Sequence, residues 1–196
     1  MTLVPDHPQT LNAVSSLASL LDKQGKPELA EPLFRRVLVS QTMRAPNHSL
    51  THMSAGNLGR VLLALGKLEE GESLCRQARQ GLAVVLGPTH PTTASYFGTL
   101  GEVLMAKGNL LISRGMHDEA EPLYREGFES SVVALGPTHS NTLKSSFQLV
   151  CLLRRAERRD DARALCESCV EMLLAAPGGT EFAGVFMEQI AKLDAP

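Results

Sequence analysis

The chain contains no tryptophan and only two tyrosines, and aromatic residues make up 4% of its 196 residues. A core must therefore be packed mainly from Leu, Val and Ala. No apolar run approaches the ~18 residues of a membrane-crossing helix, so no segment is expected to span a bilayer. Met1 to Thr10 show neither a basic stretch nor an apolar one. No secretory signal is read there, and the cytoplasm is the expected compartment. Neither sign of charge dominates: 19 Lys and Arg stand against 21 Asp and Glu, a net charge of −2. That balance gives no general pull toward nucleic acid or an anionic membrane. Catalytic signatures are missing as well. There is no phosphate-cradling Gly loop ending in Lys-Ser/Thr, no Gly-x-Ser-x-Gly and no His-Glu-x-x-His. Neither an enzyme nor a cofactor is expected.

What the chain does have is a repeat. Pro-Asp-His-Pro, Pro-Asn-His-Ser, Pro-Thr-His-Pro and Pro-Thr-His-Ser place His7, His48, His90 and His139 at steps of 41, 42 and 49 residues. A fixed period of this size marks an array of one small unit. Ten residues after each His lies a Leu (Leu17, Leu58, Leu100, Leu149), followed by Ala18, Gly59, Gly101 or Val150. Eight residues further stands Gly25, Gly66 or Gly108, with Glu157 in the last unit. A second segment then carries Glu-Leu-Ala-Glu-Pro-Leu-Phe-Arg-Arg (28–36) or Asp-Glu-Ala-Glu-Pro-Leu-Tyr-Arg (118–125), with weaker copies at 69–76 and 160–167.

Both halves have helical spacing. Leu17, Leu20 and Leu21, and Leu58, Val61, Leu62 and Leu65, recur at three- and four-residue steps, as do Leu29, Leu33 and Val37. The intervening Gly suits a helix C-cap, and Pro after His suits a helix start. Each unit reads as helix, tight turn, helix. Ala18, Gly59, Gly101, Ala30 and Ala120 mark where paired helices come close.

The pattern resembles the tetratricopeptide repeat in the 42-residue form of kinesin light chains and related scaffolds, from Val4 to about Leu174. Leu-Gly-Pro-Thr-His-Pro-x-Thr (86–93) and Gly-x-x-x-Glu-Ala-Glu-Pro-Leu-Tyr-Arg (115–125) carry the resemblance. It implies an all-α fold, a right-handed superhelical solenoid of helix–turn–helix repeats. The repeats are read at 4–45, 46–87, 88–136 and 137–176, with a half-repeat or capping helix at 177–196. The third holds seven additional residues, 109–115. An inserted heptad turns the apolar face by only about 20°, so the first helix is expected to run on through Leu111 and Ile112 and turn at Gly115, with a bulged loop as the alternative. In the last segment, Phe182, Val185, Phe186, Ile190 and Leu193 fall on one helical face.

Three constellations invite chemistry. Cys166-x-x-Cys169 has redox or zinc spacing, but both cysteines occupy slots filled elsewhere by Phe34, Cys75 and Tyr124 or by Val37, Ala78 and Gly127, so packing is the expected role. Helices pack roughly 8–10 Å apart and zinc–nitrogen bonds are about 2.0–2.1 Å, so the four repeated His cannot share an ion. His52 and His117 are isolated and expected to be solvated. Arg154, Arg155, Arg158 and Arg159 are followed at once by Asp160 and Asp161, which reads as a solvated turn.

Function is expected on the face of the first helices turned away from the Leu-small stripe. It presents Asn12, Ser16 and Ser19; Met53, Asn57 and Arg60; Ser95, Thr99 and Glu102; and Lys144, Gln148 and Cys151. Amides and hydroxyls offer both donors and acceptors, which suits an extended peptide. The resemblance implies a protein or peptide partner of motor, cytoskeletal or signalling kind, and Asn57 is the position matching the family's groove asparagine. A non-catalytic scaffold is one reading; a sensor segment of a larger signalling NTPase or enzyme is the alternative.

Overall fold

The repeated histidines cap helices. The computed structural model describes residues 7–88 and 90–194, and there His7, His48 and His139 have extended backbone at the N-cap. Each Nδ1 accepts from the N–H two residues on: Gln9 at 3.3 Å, Leu50 at 3.2 Å and Asn141 at 3.1 Å. His90 accepts from Thr92 in the same way, at 3.1 Å. An imidazole nitrogen thus satisfies the orphan donor that a Ser or Asp oxygen usually takes. Pro5 and Asp6 of the first motif, Thr89 of the third, the opening residues of the 4–45 repeat and residues 195–196 lie outside the described residues.

Among the described residues the elements are all helical: α1 (Pro8–Lys23), α2 (Pro27–Arg44), α3 (Ser49–Ala64), α4 (Leu68–Leu86), α5 (Pro91–Ser113), α6 (His117–Leu135), α7 (Ser140–Arg155), α8 (Arg159–Ala175) and α9 (Thr180–Asp194). The turn inside each pair is one motif used four times. Lys26 N–H donates to the Leu21 carbonyl while Gly25 donates to Asp22. Lys67 and Gly66, Met116 and Gly115, and Arg158 and Glu157 repeat both bonds. This double closure requires a left-handed residue, and Gly25, Gly66 and Gly115 supply it at φ of 71°, 71° and 76°. Glu157 is forced to φ 59° with a side chain in place. The seven additional residues lengthen α5 to 23 residues, and the same turn simply moves to Gly115.

The chain divides into two compact units, residues 1–103 and 104–196, with the division inside α5. In the first unit, Ala18, Ala30, Phe34, Leu58, Val61 and Leu62 form one buried cluster. Gly59 and Gly71 let α3 and α4 approach: a Cβ on Gly59 would lie 2.5 Å from Cys75 Sγ and 3.0 Å from the Gly71 carbonyl. In the second unit, one cluster joins Ala120, Tyr124, Leu149, Leu152, Leu153 and Ala162. A further cluster joins Phe128, Val150, Cys166, Cys169, Leu173, Ala183 and Phe186. Burial pushes the thiols of Cys166 and Cys169 up to about 11 and about 12, so both are packed, un-ionised side chains.

The second helices carry a repeated ion network. Arg35 bridges Glu31 of its own helix, at 2.8 Å, and Glu70 of α4, at 2.5 Å, while Lys67 reaches Glu31 at 2.8 Å. In the second unit Glu121 takes the slot of Glu31 and receives Arg125 at 3.0 Å and also Arg158, which holds Asp161 at 2.6 Å. Arg158 of the basic cluster is therefore a tie between α6 and α8. Arg154, from the same cluster, donates to Gln189 of α9 at 3.1 Å.

Several sequence expectations need correcting. Leu17 and Leu20, expected on the buried stripe, are 50% and 52% exposed, whereas Leu58 in the slot of Leu17 is buried. Leu58 is covered by the α1–α2 pair; no described helix precedes α1 to cover Leu17. Leu29 is likewise exposed. In α9, Phe186 is buried beside Ala183 and Gln189, but Phe182 and Val185 remain exposed. His52 is not solvated: it is 8% exposed, with its ring edge over Gly81. His117 is exposed, as expected.

Candidate functional site

In the first unit the expected face is built on α1, α3 and the start of α5. Asn12, Ser16, Ser95 and Glu102 are exposed, and Ser19, Met53, Asn57, Arg60 and Thr99 are half-buried. Their placement follows from the helical repeat: with Leu58, Val61 and Leu62 directed to the core, Asn57 and Arg60, three residues apart, share the flank. Two hydroxyls turn back onto their own helix, Ser19 to the Ser15 carbonyl at 2.9 Å and Thr99 to Ser95 at 3.4 Å. Asn12 stands at the end of the face, where it lines a recess of about 200 Å³ with Leu11, Gln41, Arg44 and Thr51.

Asn57 and Arg60 are each held by a neighbouring helix. The Tyr96 hydroxyl of α5 donates toward Asn57 Oδ1 at 3.0 Å and the Met53 carbonyl at 3.1 Å. Tyr96 itself is 8% exposed, and burial pushes its hydroxyl up to about 12, so it stays a donor. Its ring lies across Gly56, where a Cβ would be 2.3 Å from the ring. Arg60 forms an ion pair with Asp22 at the end of α1, whose side chain is 8% exposed. These two contacts tie the three first helices together through the polar face, in addition to the packing of Ala18, Leu58 and the Tyr96 ring.

In the second unit, Lys144 and Gln148 line a depression of about 430 Å³ between α7 and α9, floored by Leu143, Phe147, Phe182, Val185 and Phe186. Gln148 Nε2 lies 3.5 Å from Asn109 Oδ1, and the Tyr124 hydroxyl donates to the same oxygen at 2.5 Å. Cys151, farther along α7, is half-buried and unbridged. Asp22, Tyr96, Asn109 and Phe147 belong to these surfaces although the sequence reading passed over them, and Phe182, read there only as part of an apolar helical face, belongs to them too. One signal was available: the two tyrosines of the chain each donate to an asparagine, across a gap opened by Gly56 or Gly108.

The arrangement offers hydrogen bonds and single charges. Among the described residues no group of three or more His, Cys, Asp or Glu side chains could hold a metal ion. No helix among them is long and apolar enough to cross a membrane.

Comparison with known proteins gives the same architecture. Family models described as tetratricopeptide repeat match residues 13–48, 50–110 and 103–175. No curated protein matches the chain significantly. Among solved structures, a protein of Podosopora anserina named for kinesin light chain, with nearly identical TPR-like repeats, aligns at a TM-score of 0.57 and 20% identity, over 96% of this chain and 97% of that one. A point variant of that protein aligns at a TM-score of 0.57 and 19% identity, over 99% of this chain and 98% of that one. BtubC (BKLC) of P. vanneervenii has a TM-score of 0.57 at 16% identity, covering 94% of this chain and 72% of that one. Repeats of this class serve protein–protein interaction and are typically non-catalytic. With helix pairs, caps, turns and matched residues in agreement, the chain belongs to the tetratricopeptide repeat family, with the fold of its kinesin light chain-like members.

Proposed function

We propose that the chain is a non-catalytic cytoplasmic scaffold that holds an extended peptide of a partner protein along its first helices. The observation that carries this reading is the pairing of Asn57 with Tyr96. With Oδ1 committed to the hydroxyl, the asparagine NH₂ is left as a donor of fixed direction, which suits a backbone carbonyl. Arg60, oriented by Asp22, adds a cation one turn away. Preorganised side chains lose less freedom on binding than mobile ones, so more of the contact energy appears as affinity.

Asn57→Asp is the cleanest test. It keeps an acceptor for Tyr96 and replaces the NH₂ donor with a carboxylate oxygen, adding one negative charge one turn from Arg60. Affinity capture with mass spectrometry should recover a partner with wild-type protein and lose it with the variant, at equal thermal stability. Equal capture by both would remove this face from the mechanism.

A further inference from the structure

The repeat does not account for His52. Its slot, four residues after the capping His, holds Leu11, Ala94 and Leu143 in the other units. Burying an imidazole where an aliphatic side chain would serve carries a desolvation cost. No described group hydrogen-bonds the ring, and burial alone lowers its pKa from the ordinary 6.5. The space for it is made by Gly81, whose slot holds Ser40, Ser130 and Met172 elsewhere. A Cβ on Gly81 would lie 2.2 Å from His52 Nδ1 and Cε1 and 2.4 Å from Nε2. The nitrogen-bearing edge therefore lies on α4.

His52 and Gly81 both line a cleft of about 600 Å³ between the start of α3 and α4. Asn47, Ser73, Gln77 and Gln80 supply donors and acceptors along it, and Val84 and Val85 an apolar flank. Arg76 is the cation of the lining, which holds no Asp or Glu. Glu72 receives the Arg76 Nε at 2.9 Å and so sets the direction of the guanidinium. Of the other charged groups near this end of α3, Arg44 of α2 and the capping His48 line the separate recess beside it.

We propose that this cleft binds a carboxylate side chain from an acidic protein segment, with His52 and Arg76 as its two anchors. A ring whose burial disfavours its charged form, beside one guanidinium, matches a single negative charge. A phosphate dianion would call for a denser set of cations. The amide-rich, open walls suit a peptide backbone around that carboxylate. On docking, His52 takes a proton from solvent and gives the carboxylate a charge-assisted hydrogen bond, so binding is linked to proton uptake. The cleft lies outside the Asn57 face, so this proposal stands or falls independently of that one.

The test is an NMR titration of the whole chain with three probes: an Ala-Glu hexapeptide, its Ala-Gln counterpart and inorganic phosphate. The Glu peptide should raise the His52 titration midpoint and move the amide resonances of residues 76–85; the other two should do neither. Arg76→Gln and His52→Leu should each weaken the Glu peptide about tenfold or more, over 1.4 kcal/mol. The leucine variant should fold, because Leu fills this slot in two other units, and a melting curve checks that; should it not fold, Arg76→Gln alone decides. The proposal is overturned by equal shifts with the Gln peptide, by a stronger response to phosphate, by variants that bind like wild type, or by no response at millimolar peptide.

Discussion

The ring of Tyr96 rests on the backbone of Gly56, and that contact delivers its hydroxyl to Asn57. Gly56 is thus a positional requirement of the polar face as much as of the core. Gly56→Ala should destabilise the first unit by about 1–3 kcal/mol, the usual cost of overpacking. Tyr96→Phe, which keeps the ring and removes the hydroxyl shared by Asn57 Oδ1 and the Met53 carbonyl, should cost only about 1 kcal/mol. Urea unfolding of both variants separates the two; an unaffected Gly56→Ala would mean that Tyr96 has somewhere else to go.

Arg60 serves two roles, and a simple truncation confuses them. Removing it leaves Asp22, 8% exposed, without its cation. Arg60→Ala should lower stability by about 1 kcal/mol, with Arg60 itself exposed enough to limit the loss. In a double-mutant cycle with Asp22→Asn, most of that loss should disappear. Additive effects would show that the ion pair contributes nothing.

Glu157 closes the last turn in a conformation that the other three units assign to glycine. A side chain in the left-handed region costs roughly 1–2 kcal/mol, and glycine gives back part of it in unfolded-state entropy. Glu157→Gly should therefore stabilise the second unit by about 1 kcal/mol, read as a higher denaturation midpoint. A lower midpoint would reveal a contact of the Glu157 side chain that outweighs the strain.

His52 should make the first unit acid-sensitive. Burial lowers its folded pKa below the ordinary 6.5, so below that pH the unfolded chain binds the proton more readily. Stability is then unaffected above about pH 6.5 and falls as pH drops through the interval down to the folded value. His52→Leu should flatten this part of the profile in melting curves taken between about pH 8 and 5. An unchanged slope would assign the sensitivity to other groups.

The sequence by itself determined the elements and their punctuation. His followed by Pro or Ser begins a helix, glycine ends one, and a heptad inserted between them lengthens α5 without altering its turn, because each signal acts through bonds to groups within about five residues. The small residue Gly59 likewise announced a close helix crossing. The sequence placed Leu58, Val61, Leu62 and Cys166 in the core, but it did not distinguish buried from exposed copies of one slot. Leu17 and Leu58 are equivalent in pattern, yet one is half exposed, since burial depends on a neighbouring pair some forty residues away. The same distance hides the partners of the polar face: Asp22 for Arg60, Tyr96 for Asn57, and Gly81 for a histidine that local spacing leaves in solvent. Periodicity sets which way a side chain points along its own helix; only the packed tertiary structure decides what it meets there.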